Sequence, residues 1–149
     1  MTCIECKKSL SREEQEVSVH SYGVALCNRH QNRLQKLKEH NNTPMEAIQL
    51  YYGLKREGLN PMLEWYDGKR HVDIALSRVK LNIEIDTDYR TITHEQAMRD
   101  LEDASNSFKN GFTTLRIPHI LVRCYLEDTI KNIMDIVAGL KKNIKAIGH

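Results

Sequence analysis

The 149-residue sequence predicts an α/β protein preceded by a small cysteine-containing module. From residue 43 onward, short apolar segments bounded by turn residues alternate with longer segments of helical periodicity, in the order αβββαβα. Three cysteines and a histidine occur in paired spacings within the first thirty residues. A chain of this length fits one ordinary domain plus an appendage, so we divide it into residues 1–40, which include a linking helix, and residues 43–149.

Composition excludes membrane-spanning and exported proteins. Apolar residues make up 40% of the chain and charged residues 28%, as in globular proteins of aqueous compartments. No apolar run approaches the roughly 20 residues that cross a bilayer, and the opening MTCIECKKSL lacks the apolar stretch of a secretory signal. We therefore expect a cytoplasmic protein without a membrane partner. The net charge of +2 is too small to indicate a nucleic-acid partner by itself.

The N-terminal residues carry a zinc-binding pattern. Cys3 and Cys6 are separated by two residues, and so are Cys27 and His30. Each pair places two ligands on one tight turn, and two pairs complete a tetrahedral site without an open position. Ordinary buried thiols are the alternative interpretation, and His20 is the rival for the fourth ligand.

The segment between the two ligand pairs predicts a β-hairpin. EVSVHS and VAL alternate around Tyr22-Gly23, and CNRH then runs into the helical pattern QNRLQKLKEH. Knuckle, hairpin and ligand-bearing helix in this order resemble a treble-clef or ribbon-like zinc finger. Cys124 stands apart in RCYLED and predicts a structural thiol, since no activating base is placed beside it.

The remaining elements follow from turn and cap signals. Thr43 caps a helix over 44–57, with Pro44 in its first turn and Gly58 after its end. MLEWY, HVDIAL and LNIEI form an antiparallel meander with turns at Asp67-Gly68 and Ser77-Arg78. A helix over 93–110, the strand TTLRI and an amphipathic helix over 126–140 complete the chain, with KAIGH frayed at its end.

Three carboxylates lie on two neighbouring strands of the meander. Glu84 and Asp86 are two residues apart and share a face, and antiparallel pairing would bring Asp73 beside Glu84. Such oxygens suit Mg²⁺, which activates water for phosphodiester hydrolysis. A solvated strand face is the common alternative, so the convergence of these side chains decides between the two.

Five segments of this chain together resemble a known family. They are TPMEAIQLYYGLKREGLNP, DGKRHVDIAL, KLNIEID, THEQAMRDLEDAS and NGFTTLRIPHILV, and they span residues 43 to about 140. The pattern is similar to the PD-(D/E)XK nuclease superfamily, in the branch related to very short patch repair endonucleases. The resemblance implies a restriction endonuclease-like core and a Mg²⁺- or Mn²⁺-dependent DNA endonuclease or nickase.

The resemblance also implies roles for individual residues. Asp73 and Glu84 hold the catalytic metal, and Glu46 contacts a metal-bound water. Asp86 takes the place of the superfamily lysine, and His94 serves as acid, base or phosphate contact. Each of these two residues also has a non-catalytic interpretation. Glu46 is an acidic residue in a first helical turn, where the helix dipole favours it. His94 is a solvent-facing residue at the start of a helix.

The chain also departs from the family pattern. Relatives have a glycine directly after the Glu-x-Asp pair and a histidine soon after it, whereas this chain reads TDYR there and delays its histidine. A hydroxide would then be stabilised by His94, Arg90, Lys69 or Lys80. The family positions Asp100 and Arg116 are present, but each also fits an ordinary ion pair.

A cluster of basic residues in the linking helix predicts the partner. Arg29, Arg33 and Lys36 fall near one helix face, with Lys38 close by, and could follow the phosphate backbone of DNA or form a solvated face. One active site cuts one strand, so a homodimer and sequential nicking both stay open. Two rival functions are a degenerate nuclease fold that binds DNA or recruits protein, and an assembly factor centred on the zinc finger.

Overall fold

The computed structural model describes residues 1–87 and 93–147, which form a mixed α/β structure. Its helices are α1 (Arg12–Tyr22), α2 (Asn28–Asn41), α3 (Met45–Arg56), α4 (His94–Lys109), α5 (His119–Cys124) and α6 (Leu126–Ile147). Its strands are β1 (Met62–Tyr66), β2 (His71–Leu76), β3 (Leu81–Asp86) and β4 (Thr113–Pro118). None of the helices in these ranges combines the length and apolar composition needed to cross a membrane.

The four strands form one sheet in sequence order, β1-β2-β3-β4. The first three are antiparallel neighbours, and β4 pairs parallel to β3 after the α4 crossover. One row across the sheet consists of Leu63, Ile74, Ile83 and Leu115. Because side chains alternate along a strand, this row lies on one face and the carboxylates of β2 and β3 lie on the other.

The apolar face of the sheet packs against α3, α5 and α6. Leu50, Ile83 and Ile133 are all at most 1% exposed in this core. Gly53 brings α3 close to α6, since a Cβ at this position would lie 2.5 Å from Cδ1 of Ile130. The opposite face is covered by α4, which lies over β4. The polar side chains of β2 and β3 are therefore held between the sheet and α4.

Beyond residue 43 the structure confirms the predicted order αβββαβ, which is followed by two helices, α5 and α6, where one was predicted. The predicted meander corresponds to β1, β2 and β3, and the turn at Asp67 is closed by backbone and side-chain hydrogen bonds to Lys69 and Arg70. The Ser77-Arg78 corner is a single 3-10 turn that ends at Lys80, whose φ is 53°.

The hairpin predicted between the two ligand pairs is wrong, because Arg12–Tyr22 is a helix. Ser11 and Glu14 form a capping box at its start, and Gly23 ends it with a φ of 76°. Val17 and Val19 are 50% and 45% exposed and flank the buried Ser18. The alternation in EVSVHS thus comes from two valines on the surface of a helix. It does not mark a strand with one buried face.

Three smaller predictions also change. Thr43 does not cap α3, since its hydroxyl donates to Glu64 at 2.6 Å and Pro44 occupies the cap position. The short helix α5 follows Pro118 directly and was not predicted, because six residues carry too little periodicity to detect. Helix α6 continues to Ile147 and not to 140, because no breaker intervenes; the final two residues of the predicted frayed end lie outside the described residues.

Candidate metal centres

Four side chains converge at the N-terminus on one small volume. The ligand atoms of Cys3, Cys6, Cys27 and His30 all lie within 4.8 Å of one another. Cys27 Sγ lies 3.1 Å from Nδ1 of His30, Cys3 Sγ lies 3.7 Å from the same nitrogen, and the Cys6 and Cys27 sulfurs are 3.9 Å apart. Ligands of a tetrahedral zinc are about 3.6–3.8 Å apart, given the usual Zn–S and Zn–N distances. This cluster therefore suits a tetrahedral metal ion.

Local structure explains why these four residues meet. An isolated bridge between Thr2 and Ser9 folds the first ligand pair into a knuckle, and Cys27 and His30 occupy the cap and first turn of α2. His20, the rival ligand, lies on an exposed part of α1 outside the cluster. Burial opposes ionisation of Cys3, but backbone hydrogen bonds outweigh it and lower the pKa of its thiol to about 7. A thiolate is the form that binds zinc.

The N-terminal module is joined to α3 by apolar and ionic contacts. Cys3, Leu26 and Leu34 share one buried cluster with Ile48 and Tyr52 of α3. Glu5, between the first two cysteines, lies 3.0 Å from Nζ of Lys55 on α3. Both side chains of this pair are largely shielded, so the module and α3 are packed as one unit.

The predicted carboxylates of β2 and β3 are brought together. Ile74 pairs with Ile83, and continuing this register by one residue places Asp73 opposite Glu84. Asp73 Oδ2 also accepts the backbone N–H of Ile85 at 2.8 Å. Burial raises the pKa of both carboxyl groups. The charge of Glu64 raises the pKa of Asp73 further, and the charge of Asp73 raises that of Glu84. The pair is thus a partly desolvated acidic site.

Arginines from two elements balance part of this negative charge. Arg70 Nη1 donates to Glu84 Oε1 at 2.6 Å, and its Nε lies 3.4 Å from Asp103 of α4. Arg116 of β4 lies 3.7 Å from Asp100 of α4. These ion pairs hold α4 over the polar face of the sheet. Asp100 and Arg116, matched by the sequence pattern, are therefore partners of each other.

Glu64 is a further member of the acidic site that the sequence analysis missed. Its carboxyl group is half-buried, and burial together with the charge of Glu84 raises its pKa. Its φ of 53° is unusual for a glutamate within a strand. The hairpin turn at Asp67-Gly68 already implies its position, since pairing Leu63 with Ile74 and Trp65 with Val72 leaves Glu64 facing Asp73.

The other predicted catalytic residues occupy separate positions. Glu46 lies in the first turn of α3, and its carboxylate is 3.9 Å from Arg123 of α5. His94 is the exposed first residue of α4, and Asp86 is half-buried at the end of β3. Arg90, offered for hydroxide stabilisation, lies outside the described residues. Within residues 1–87 and 93–147, the Cys/His cluster is the one group of three or more metal-binding side chains that converges within 4.8 Å.

The basic face of α2 forms an open concave surface beside the Cys/His cluster. Arg29, Arg33 and Lys36 line a depression of about 650 Å³ that also includes His30. No ion pair within the described ranges involves these three cations, whereas Arg12, Arg56, Arg70, Arg116 and Arg123 are all paired. This face, which we call the α2 basic face, therefore carries unneutralised positive charge.

Comparison with protein-family models, with curated proteins and with solved structures found no significant match to the chain.

Proposed function

We propose that the chain is a metal-dependent DNA endonuclease or nickase whose N-terminal module binds a structural zinc ion. The observation that carries the proposal is the closeness of the half-buried carboxyl groups of Asp73 and Glu84 on the polar face of the sheet, where the charge of Asp73 raises the pKa of Glu84. Two carboxylates of raised pKa, facing each other under a helix, form an environment that a divalent cation stabilises.

The donor atoms fit a hard cation. Asp73 and Glu84 each use one carboxylate oxygen in the hydrogen bonds described above and keep the other oxygen for a cation. Glu64 adds negative charge near Asp73, but the carboxylates of the three residues do not all lie within 4.8 Å of one another. Mg²⁺ in proteins is commonly held by one or two carboxylates, with water and substrate phosphate as the other ligands. Bound there, the cation would supply Lewis-acid activation of water for phosphodiester hydrolysis.

The chain's own residues would position the DNA strand. Arg116 is about half exposed beside the acidic pair and can contact a phosphate oxygen. The resemblance to the PD-(D/E)XK superfamily assigns water contact to Glu46, the lysine position to Asp86 and proton transfer to His94. His94 is accessible to substrate at the start of α4. Glu46 would have to leave its long contact with Arg123 to reach such a water.

The α2 basic face supports DNA as the partner. Its three cations are unpaired and share one concave surface, as expected for contacts to successive phosphates. The zinc ion would anchor the N-terminus of α2, because Cys27 and His30 both belong to that end of the helix. Zinc is proposed as structural since four protein ligands leave no open position.

A plasmid cleavage assay tests the proposal. Supercoiled plasmid incubated with the wild type in Mg²⁺ or Mn²⁺ should be nicked or linearised. Asp73→Asn and Glu84→Gln should each lower the rate at least 100-fold, while Asp135→Asn, an exposed acid on α6, should leave it unchanged. Equal activity in all four proteins, or cleavage insensitive to chelation, would contradict the proposed site.

One observation favours a second candidate function. The 2.6 Å ion pair between Arg70 and Glu84 occupies a metal-binding carboxylate with a cation of the protein itself. A nuclease fold closed in this way would bind DNA or recruit protein without cleaving. A wild type that binds DNA but is inert in both metals would favour this function over the enzyme.

A further inference from the structure

Exposed apolar side chains flank the edge strand β4 on both faces of the sheet. On α4, Met98, Leu101 and Phe108 are 43%, 63% and 76% exposed. On the other face, Leu121 of α5, Tyr125 between α5 and α6, and Ile136 of α6 are 39%, 57% and 37% exposed. Soluble monomers rarely expose large apolar side chains in such concentration. A binding partner of this region would cover α4 on one face of the sheet together with α5 and α6 on the other.

An apolar groove adjoins the same strand. It has a volume of about 440 Å³ and lies between β4 and the helices α5 and α6. Leu115, Ile117 and Ile133 form its floor, and Leu121 and Tyr125 form its rim. No residue of α4 lines this groove, so the groove and the exposed side chains of α4 lie on opposite faces of the sheet, on either side of β4.

The edge of β4 itself is open. β4 is the last strand in the sheet order, and in the described part of the chain no strand pairs with its outer side. Natural edge strands are usually protected by charged side chains, bulges or prolines. β4 has one charged side chain, Arg116, which is paired with Asp100, and a proline only at its final position, Pro118. Unpaired backbone groups of a strand are satisfied most completely by another strand.

We propose that this surface, which we call the β4 face, binds a second copy of this chain. The β4 face consists of the outer edge of β4 and the exposed apolar side chains of α4, α5 and α6 named above. Antiparallel pairing of β4 with the partner's β4 would join two four-stranded sheets into one. The same two-fold axis would bring α4 against the partner's α4, and α6 against the partner's α6.

The side chains of α4 are self-complementary in this arrangement. Met98, Leu101 and Phe108 follow the spacing of a packed helix seam. Glu95 and Lys109 are 14 residues apart, close to four full turns, and so lie on the same side of that seam. In an antiparallel pair, Glu95 of one copy lies near Lys109 of the other, twice per dimer. Glu102, midway between them on the same side, faces its own copy at the two-fold axis, so two attractive contacts are set against one repulsive contact.

The area of the β4 face is adequate for a stable dimer. α4 has 16 residues and is about 24 Å long, and three layers of about 10 Å each give a face about 30 Å deep. A face of about 700 Å² is close to the ~800 Å² that each partner buries in a standard interface. The inference does not depend on the proposed nuclease activity, because association is measured without DNA.

Sedimentation velocity of the full chain tests the inference. At concentrations from about 1 to 100 µM the wild type should approach twice the chain mass of 17.3 kDa. Leu101→Glu and Phe108→Glu should weaken dimerisation at least tenfold, because each places a charge within the seam. Val17→Glu, on the exposed side of α1, is the matched control and should remain dimeric.

A charge exchange tests the arrangement without altering apolar side chains. Lys109→Glu should weaken the dimer, and Glu95→Lys combined with Lys109→Glu should restore it. A wild type that stays monomeric at 100 µM would overturn the proposal, and it would direct attention to a different protein on the β4 face. A dimer that persists in both Leu101→Glu and Phe108→Glu would place the interface elsewhere and would also overturn it.

Discussion

Glu14 of α1 accepts the backbone N–H of Asn28, the first residue of α2, at 3.1 Å. Its other carboxylate oxygen accepts the backbone N–H of Ser11 at 3.2 Å. One side chain thus caps two helices. Cys27 makes no side-chain cap of its own on α2, so its sulfur is left for the metal cluster. The N-terminus of α2 is thus capped by Glu14 of the preceding helix and not by the side chain of its own N-cap residue, Cys27.

Replacing Glu14 with alanine should therefore lower the free energy of unfolding, because both helix starts lose a hydrogen bond. Thermal unfolding monitored by circular dichroism measures this loss. Glu13→Ala removes a neighbouring first-turn acid of α1 and is the control. Backbone hydrogen bonds lower the pKa of Glu14, so its contribution is present above its unfolded-state pKa and is lost as the pH falls through the folded-state value. A loss that is independent of pH would contradict this assignment.

The ligand set of the N-terminal cluster is tested by metal content. Purified wild type should contain one zinc ion per chain by elemental analysis. His30→Ala and Cys6→Ser should each lose most of the zinc and unfold at lower temperature, because structural zinc contributes directly to folding. His20→Ala should keep both zinc and stability, since His20 lies outside the cluster. Zinc loss in His20→Ala but not in His30→Ala would reverse the assignment.

Asp73→Asn should stabilise the metal-free protein while it abolishes cleavage. Burial raises the pKa of Asp73, so ionising it at neutral pH opposes folding, whereas an amide oxygen can still accept the Ile85 N–H. An increase in Tm of at least about 2 °C is expected at pH 7. The pH dependence of this effect follows from the difference between the folded and unfolded pKa values of Asp73. Below its unfolded-state pKa of about 4 the protonated carboxyl group does not oppose folding. This advantage is lost as the pH rises through the higher folded-state pKa. The Tm difference between variant and wild type should therefore grow with pH.

Arg70 sets the electrostatic balance of the acidic site. Arg70→Ala removes the ion pairs to Glu84 and Asp103, so the metal-free variant should have a lower Tm than the wild type. Excess Mn²⁺ should then raise its Tm by more than it raises that of the wild type, because the uncompensated carboxylates bind the cation more tightly. Arg78→Ala, an exposed arginine on the 3-10 turn, is the control. An equal Mn²⁺ response in variant and wild type would argue against a cation site at Glu84.

The α2 basic face should dominate the salt dependence of DNA binding. Replacing Arg29, Arg33 and Lys36 with glutamine should reduce the slope of log K against log salt by about 2.7, at roughly 0.9 per phosphate contact. Fluorescence anisotropy with a labelled duplex measures the slope. The matched variant replaces Lys131, Lys141 and Lys142, which are exposed on α6. Equal slopes for the two triple variants would show that α2 makes no special contribution.

The sequence predicted the arrangement of β2 and β3 well, because two physical constraints agree there. Apolar residues must lie on one face, and a short turn leaves one register that satisfies this for both strands. Extending the Ile74–Ile83 register by one residue places Asp73 opposite Glu84, and the charge of Asp73 raises the pKa of Glu84. The ion pair between Arg70 and Glu84 was not predictable in this way, because a long side chain just before a strand can turn toward several acids.

The failure at α1 arose where periodicity and cap chemistry disagreed. Alternation in EVSVHS favoured a strand, while Ser11 and Glu14 carried the spacing of a capping box. The segment is a helix because the hydrogen bonds of the capping box are local. A strand would not be stabilised by the valines, since they have no apolar surface to cover. The same cap spacing at Thr93 and Gln96 begins α4, where helical periodicity agreed with it and the helix was predicted.

The apolar cluster shared by Cys3, Cys27, Ile48 and Tyr52 limits how this protein can be divided. A chain trimmed to begin near residue 43 would leave Ile48 and Tyr52 facing water and would lose the partner of Lys55. The N-terminal module and the remainder of the chain should therefore not fold independently. Cutting the chain at this boundary, or fusing either part to another protein, should cause aggregation.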